Sequence, residues 1–559
     1  MPSSLLLSLL LFLGVAFGLG WPVAVRLPLA PAEKIAASVA LSLLGVYLFA
    51  WGVYVWALPT AVFWTLPALG TIGLTVGSRA LAQAWRDADA QAMIVGQLLV
   101  AGWCLGWLAT VASYSGGGWA GDWFEHWERT RFFLERWPRD TKFLGSYALP
   151  ARPPLANLVT GAFLAVTQVS FAHYQLFTAL LNSLAFLPAS LLARRFGGGR
   201  QAMAVLAVLL MVSPSFVENA TFAWTKLLAV AYILGGLYFF LRTRDADAPR
   251  AAGPLCAIFL AAGILTHYSA APFALLLALA WIFFHHPPWR TTARLVLIAA
   301  LVLATWFGWS LATYGPHTTL LSNSSVTSKD AQHGNQLLKI TLNLRDTVVP
   351  HFFRTVDPAL ITQRSPWGYW RDWFFQLYQV NLLFVFGSIG WLAITAEIVR
   401  SYRKDTPVRH WFWAFFVGGG ILLGVAVHGA RDTWGLVHIC LQTIVVLGLT
   451  FLAARWTSLA RGWRLALIAG ATADLVLGIA LQFAAQSYTL DRWLAPGRDP
   501  ADTLTSYNET ALLNLGGKVR HHLAFFTDVL PLPFALMLAL LAAILILALV
   551  RVRSAQSEP

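Results

Sequence analysis

The amino-acid sequence predicts an all-α polytopic membrane protein with about 15 transmembrane helices and long extracytoplasmic loops. Three observations carry that reading. First, the chain has 559 residues, 58% apolar and only 11% charged. A soluble domain carries about 25% charged residues, so this chain has too few to coat a folded surface. A soluble globular enzyme and a disordered chain are both excluded. Second, apolar runs of about 20 residues, the length that crosses a bilayer, recur along the chain. Third, basic clusters fall in every second loop between those runs, as the preference of Lys and Arg for cytoplasmic loops requires.

Spans are expected near 3–20, 36–56, 61–79, 91–113, 173–193, 201–215, 222–241, 252–266, 270–285, 293–313, 379–400, 411–428, 436–454, 464–484 and 531–550. The first run has no basic start and reads as a retained helix, not a cleaved signal. Basic clusters such as Arg79/Arg86, Arg194/Arg195/Arg200, Arg242/Arg244/Arg250 and Arg455/Arg461/Arg464 mark the cytoplasmic side. They put the N-terminus outside and the C-terminus in the cytoplasm. The same asymmetry accounts for the net charge of +14, so no nucleic-acid partner is expected. Cys104, Cys256 and Cys440 each lie in an apolar run, which argues against a disulfide framework or a thiolate metal site. Neither a G-x-x-x-x-G-K-[ST] phosphate loop nor an H-E-x-x-H zinc motif occurs.

The cytoplasmic loops are short and read as connectors. The outer face has three long segments, 114–172, 314–378 and 485–530, which a chain that merely spans a bilayer does not need. Tryptophans concentrate there, among them Trp119, Trp123, Trp127, Trp137, Trp367, Trp370 and Trp373. They suit an interfacial belt or stacking on sugar rings.

The chemistry-bearing residues cluster in the same places. Asp122, Glu125 and Arg129 are spaced i, i+3, i+7, and His126 is i+4 from Asp122. A helix would put all four on one face, either as a solvated interfacial helix or as a site where a carboxylate serves as general base. Downstream, Arg152-Pro153-Pro154-Leu155 fixes an extended segment and then starts a helix. Glu218, Lys226, His267 and Arg431 fall in later loops on the same outer side. Glu218 suits a helix N-terminus. Lys226 suits a snorkelling or phosphate-binding role, and His267 a cap or a site residue. Arg431 offers a phosphate fork or a local pair with Asp432. Asp474, inside a span, is a functional candidate by its position.

An acidic motif in the first long outer loop, followed by R-P-P-L and a helix, resembles the GT-C glycosyltransferases. These include the protein O-mannosyltransferases and the lipid A aminoarabinose transferase. The resemblance covers roughly residues 91–315. It implies a polyprenyl-phosphate sugar donor, catalysis on the extracytoplasmic face, and Asp122 as the base. Many relatives have adjacent Asp-Glu where this chain reads Asp122-Trp123 with Glu125 following, so the base stays open between Asp122 and Glu125. The expected organisation is extra N-terminal transmembrane helices (1–90) and a GT-C-like catalytic core (91–315) with the loop 114–172. An extracytoplasmic loop (316–378) and C-terminal transmembrane helices (379–559) with the loop 485–530 follow.

The expected function is therefore a membrane glycosyltransferase (a hexosyl or pentosyl transferase) that moves a sugar to a cell-envelope glycan, lipid or protein acceptor, with inversion. His126, Arg152, Glu218, Lys226, His267 and Arg431 are the expected donor-binding residues. No cofactor is required by the sequence, although Asp122, Glu125, His126, Glu218 and His267 are suitable ligands for a divalent metal. Alternatives are an O-antigen ligase or polymerase, and a lipid-linked sugar transporter or flippase. Arginine and alanine richness points to a bacterial inner membrane.

Overall fold

A computed structural model describes residues 2–108, 122–143, 147–322, 335, 337, 338, 340–342, 396, 399, 413–420 and 441–473. The expected span at 531–550 lies outside these residues, as do parts of those at 91–113, 379–400, 411–428, 436–454 and 464–484. Among the described residues the fold is all-helical, and no strand occurs beyond an isolated bridge between Phe143 and Tyr147. Six described helices are long and apolar enough to cross a membrane, or up to eight if each of two bent pairs counts as one span. The protein is an integral membrane protein.

The N-terminal part comprises α1 (Pro2–Gly18), α2 (Trp21–Ala24), α3 (Pro31–Val55), α4 (Thr65–Val76), α5 (Ser78–Arg86) and α6 (Ala88–Leu108). α3 begins ahead of the expected residue 36. Pro31 suits the first turn, and Glu33 Oε2 accepts from the Ala30 N–H at 2.7 Å. The expected span at 61–79 is not one straight helix. It bends by 65° between α4 and α5 at Gly77. The Trp21 ring occupies the place where a Cβ on Gly77 would lie, and Trp21 Nε1 donates to the Gly77 carbonyl at 3.0 Å.

The central part comprises α7 (Asp122–Glu135), α8 (Leu155–Val166), α9 (Phe171–Ser183), α10 (Phe186–Arg195), α11 (Arg200–Val212) and α12 (Pro214–Thr221). It continues with α13 (Lys226–Arg242), α14 (Ala252–Thr266), α15 (Ala271–Ala280) and α16 (Trp289–Leu321). A later helix, α17 (Leu441–Arg455), packs on α10, α11 and α13. α16 runs past the expected end at 313 and breaks at Gly315, whose φ of +75° precedes Pro316. α8 lies inside the long segment 114–172 expected on the outer face, yet all of it but the half-buried Ala165 is buried. It packs against α3, α7, α9 and α14.

Residues 1–90 are not an appendage. Trp51 on α3 meets Trp306 and Trp309 of α16 edge-on at 5.7 and 5.0 Å. Tyr54 meets Phe132 and Phe133 of α7. The Tyr47 hydroxyl shares a 2.7 Å hydrogen bond with Thr305. α3 is therefore a wall of the body that holds α7 and α8.

At the opposite end, the loops expected in the cytoplasm are more than connectors. Arg194 and Arg200 pair with Asp89, and Arg195 pairs with Asp245. Arg242 reaches Glu33, Asp245 and Asp247. The buried Glu33 also accepts from the Tyr238 hydroxyl at 2.7 Å. Alternate loops thus meet at one end of the bundle, as the charge pattern requires.

α1 and α4 cross backbone to backbone. A Cβ on Gly18 would run into the Gly70 carbonyl, one on Gly73 into the Gly18 carbonyl, and one on Gly70 into the Gly14 carbonyl at 2.5 Å. Small residues let membrane helices approach this closely. Gly70→Ala is expected to destabilise the protein by about 1–3 kcal/mol, read as a lower unfolding temperature in detergent. Gly14→Ala, with nothing within 4 Å of the added Cβ, is the control and leaves that temperature unchanged.

Candidate functional site

The site is built on α7, whose sequence has a buried and an open side. Glu125, His126 and Arg129 are buried, while Arg131 and Glu135 form an exposed pair on the other side. The shared face expected from the i, i+3, i+4 spacing is present from Glu125 onward. It is not the solvated face that the same spacing allowed, because Glu125 and Arg129 are 0% and 1% exposed. Asp122 opens α7, and its side chain lies outside the described residues.

Glu125 is held by two arginines. Arg129 Nε donates to Glu125 Oε1 at 2.8 Å, and Arg129 Nη2 lies 2.7 Å from the same oxygen. Arg152 Nε stands 3.4 Å from Glu125 Oε2. Arg129 continues across the site, donating from Nη1 to the Leu149 carbonyl at 2.7 Å and from Nη2 to the Ala148 carbonyl at 3.1 Å. The bridged residues Phe143 and Tyr147 offer their ring faces to the two guanidinium groups. Arg129 lies 4.2 Å from the Phe143 centroid and Arg152 5.5 Å from that of Tyr147.

Burial alone would push the Glu125 carboxyl up, but Arg152 and Arg129 outweigh it and hold the group down at about 2. Burial pushes the His126 imidazole down to about 3, against the opposing pull of Glu125. His126 Nδ1 lies 3.2 Å from Asn157 Oδ1, which assigns the proton to Nδ1. At neutral pH the pair is a fixed carboxylate beside a neutral imidazole.

Arg152 follows the Leu149–Ala151 turn in extended conformation, and the proline pair leads into α8 as the sequence predicts. His267 is a local cap. Its Nδ1 accepts from the Ser269 backbone N–H at 3.1 Å and from the Ser269 hydroxyl at 2.6 Å. That turn brings Tyr268 to the Pro150 carbonyl at 3.0 Å. Tyr268, Arg152, Glu125 and His126 therefore gather around one stretch of chain, residues 148–157.

Lys226 is not in a loop. It is the first residue of α13, is buried, and places Nζ 3.9 Å from the Trp224 centroid. The preceding Ala223 has φ of +60°, a strained conformation for a residue with a Cβ. Trp224 and Thr225 join Asn157, Thr160, Thr178 and Asn182 around a small cleft of about 10 Å³ beside α8. The buried Thr225 hydroxyl has no hydrogen-bond partner among the described residues. A second small cleft on the α3 side is lined mainly by apolar groups.

Glu218 is also within a helix, α12, and is buried with Trp107 as its neighbour. The structure does not place it against the Glu125 cluster. Its chain neighbour Asn219 accepts from Gln442 at 2.7 Å, and Asn182 of the cleft donates to the Ala220 carbonyl at 3.2 Å. Arg431 and Asp474 lie outside the described residues. Among the described residues, no three His, Cys, Asp or Glu side chains form a metal-binding group. Trp127 belongs to the core, packed on Phe171 and Tyr174, and not to an interfacial belt. Asn157, Tyr268 and Trp306 were not singled out by the sequence. Their only signal was a polar or aromatic residue near a span end.

The fold and site define an all-helical integral membrane protein with a buried, arginine-rich cluster at one end of its bundle. No family model matches the chain, and no curated protein matches it. Solved structures similar to it include the crystal structure of ArnT from Cupriavidus metallidurans bound to undecaprenyl phosphate. That structure is 16% identical, with a TM-score of 0.47 and 76% of each chain covered. The apo state of the same ArnT is 16% identical with a TM-score of 0.39, covering 76% of this chain and 85% of that one.

Glu125 and His126 bind fewer protons folded than unfolded, so acid lowers stability. The His126 contribution falls away below its ordinary value of 6.5, and that of Glu125 below 4.5 and down towards 2. Glu125→Gln leaves two arginines without their carboxylate and is expected to cost about 3–5 kcal/mol at neutral pH. Thermal unfolding across this pH range measures both effects. In the variant the loss below pH 4.5 should shrink.

Proposed function

We propose that the protein is a membrane glycosyltransferase of GT-C type, moving a sugar from a polyprenyl-phosphate donor to a cell-envelope acceptor on the extracytoplasmic face. The observation that carries this reading is the pairing of Arg152, from the R-P-P-L segment, with the acidic face of the helix that Asp122 opens. The two motifs of the sequence resemblance, about 30 residues apart, meet at one place.

The surroundings of Glu125 support different roles for the two acids. Glu125 is occupied by two guanidinium groups and held ionised by them, which makes it a poor proton acceptor and a good anchor. Asp122, one helical turn earlier, takes the role of general base. As the acceptor hydroxyl attacks the anomeric carbon, its proton passes to Asp122. The new C–O bond forms while the bond from that carbon to the phosphate oxygen breaks, and the lipid phosphate leaves with the bonding pair. Displacement from the opposite face inverts the anomeric centre, through an oxocarbenium-like transition state. Arg152, with 16% of its side chain exposed, and Lys226 at the start of α13 balance the charge of the departing phosphate. Arg431 is a further donor for that phosphate.

A carrier of lipid-linked sugars is the second reading. It is favoured by the buried polar residues Asn182, Glu218, Asn219 and Gln442 between apolar helices.

Transfer of labelled sugar from polyprenyl-phosphate donors in detergent separates the two. Asp122→Asn is expected to lower turnover at least 1000-fold, as loss of an essential base does (about 10²–10⁴), with an unchanged unfolding temperature. Undiminished turnover in that variant would remove Asp122 from the base role. Uptake into vesicles without any transfer would favour the carrier.

A further inference from the structure

Residues 148–154 hold Pro150, Pro153 and Pro154, none of which has a backbone N–H to donate. The segment is held from outside through its carbonyls. Three in succession accept from side chains: Ala148 and Leu149 from Arg129, and Pro150 from Tyr268. Arg129 belongs to α7 and to the Glu125 pair. Tyr268 comes from the opposite side, from the turn between α14 and α15. Its oxygen in turn accepts from Trp306 Nε1 at 3.1 Å, and Trp306 on α16 is fully buried. The Tyr268 ring is stacked on Phe307 with centroids 5.9 Å apart.

Arg152 lies two residues beyond Pro150. Its contact with Glu125 at 3.4 Å is long for a charge-assisted hydrogen bond, which runs near 2.7–2.9 Å. Where the backbone at 148–152 is pinned helps to set the place of that guanidinium, which also lies over the Tyr147 ring. Both Arg129 and Arg152 lie within electrostatic reach of Tyr268.

We propose that Tyr268, itself held by Trp306, is a positioning residue that sets where Arg152 presents its guanidinium to the phosphate of a polyprenyl-phosphate ligand. The proposal rests on the glycosyltransferase reading for the identity of that ligand. The action of Tyr268 passes through the Pro150 carbonyl, to which it donates. The Trp306–Tyr268–Pro150 chain ties Arg152 to the membrane helix α16, so a shift of that helix moves the phosphate donor group.

The test is binding of a short-chain polyprenyl phosphate without sugar to the full-length protein in detergent. Tyr268→Phe keeps the stacked ring and removes the donor. It is expected to weaken binding about tenfold, the size of one well-made hydrogen bond. Arg152→Gln is expected to weaken it at least as much, and the double variant no more than Arg152→Gln alone, because both act through one group. A merely structural role for Tyr268 would make the two losses add. Trp306→Phe, which spares the bond to Pro150, gives a smaller loss of the same kind and decides the matter where Tyr268→Phe does not fold. Wild-type binding with unaffected Tyr268 and Trp306 variants, or fully additive losses, overturns the positioning role and leaves the glycosyltransferase reading standing. Absence of binding by the wild type overturns that reading, and the proposal with it.

Discussion

One carboxylate shared between two guanidinium groups organises one end of this molecule. Glu125 lies on α7, Arg129 on the same helix, and Arg152 on the far side of a proline-rich turn. Buried charge is costly unless every donor and acceptor is used. Here Arg129 also donates to two backbone carbonyls and sits over the Phe143 ring, while Glu125 Oε2 faces Arg152 without a hydrogen bond among the described residues. The cluster of Glu125, Arg129 and Arg152 retains one positive charge more than it has negative ones. A site with that balance, walled by aromatic faces, suits an anion approaching from the open side of Arg152.

The opposite end of the bundle is organised differently. Its ion pairs join Glu33, Asp89, Arg194, Arg195, Arg200, Arg242, Asp245 and Asp247. Exposed pairs of this kind add little stability singly. Glu33 differs, being buried and engaged by the Ala30 N–H, the Tyr238 hydroxyl and Arg242. α3 thereby starts at the charged end and finishes with Trp51 and Tyr54 against α16 and α7. One long helix connects the two ends, which is why the N-terminal residues are part of the body that shapes the site. The glycine crossing of α1 and α4 then attaches the remaining N-terminal helices to it by close backbone packing.

Some candidate site residues lie where the backbone is held against its preference. Ala223 is left-handed just before the buried Lys226, and the Tyr174 hydroxyl donates to its carbonyl. The strained turn lets Trp224 and Thr225 face the cleft next to α8. Nothing in the composition of residues 222–226 announces that strain. It is stored where packing of α9 and α13 outweighs the local cost.

The membrane class, most of the helical elements and the shared face of α7 were legible in the sequence, because composition and periodicity are local properties. So was the convergence of alternate basic loops at one end, since charge asymmetry follows topology. The sharp turn at Gly77, the buried helix α8 and the burial of Glu33 were less legible. Each depends on a partner distant in sequence: Trp21 for Gly77, α3 and α9 for α8, and Tyr238 with Arg242 for Glu33. At the site, the sequence by itself determined which residues were charged and which of them shared a helix face. Only the tertiary structure decided that Glu125 is consumed by arginines, that His267 caps a turn, and that Tyr268 grips the Arg152 segment. The physical reason is that an ionisable group takes its role from burial and from the groups that face it, and both are set by packing between distant segments.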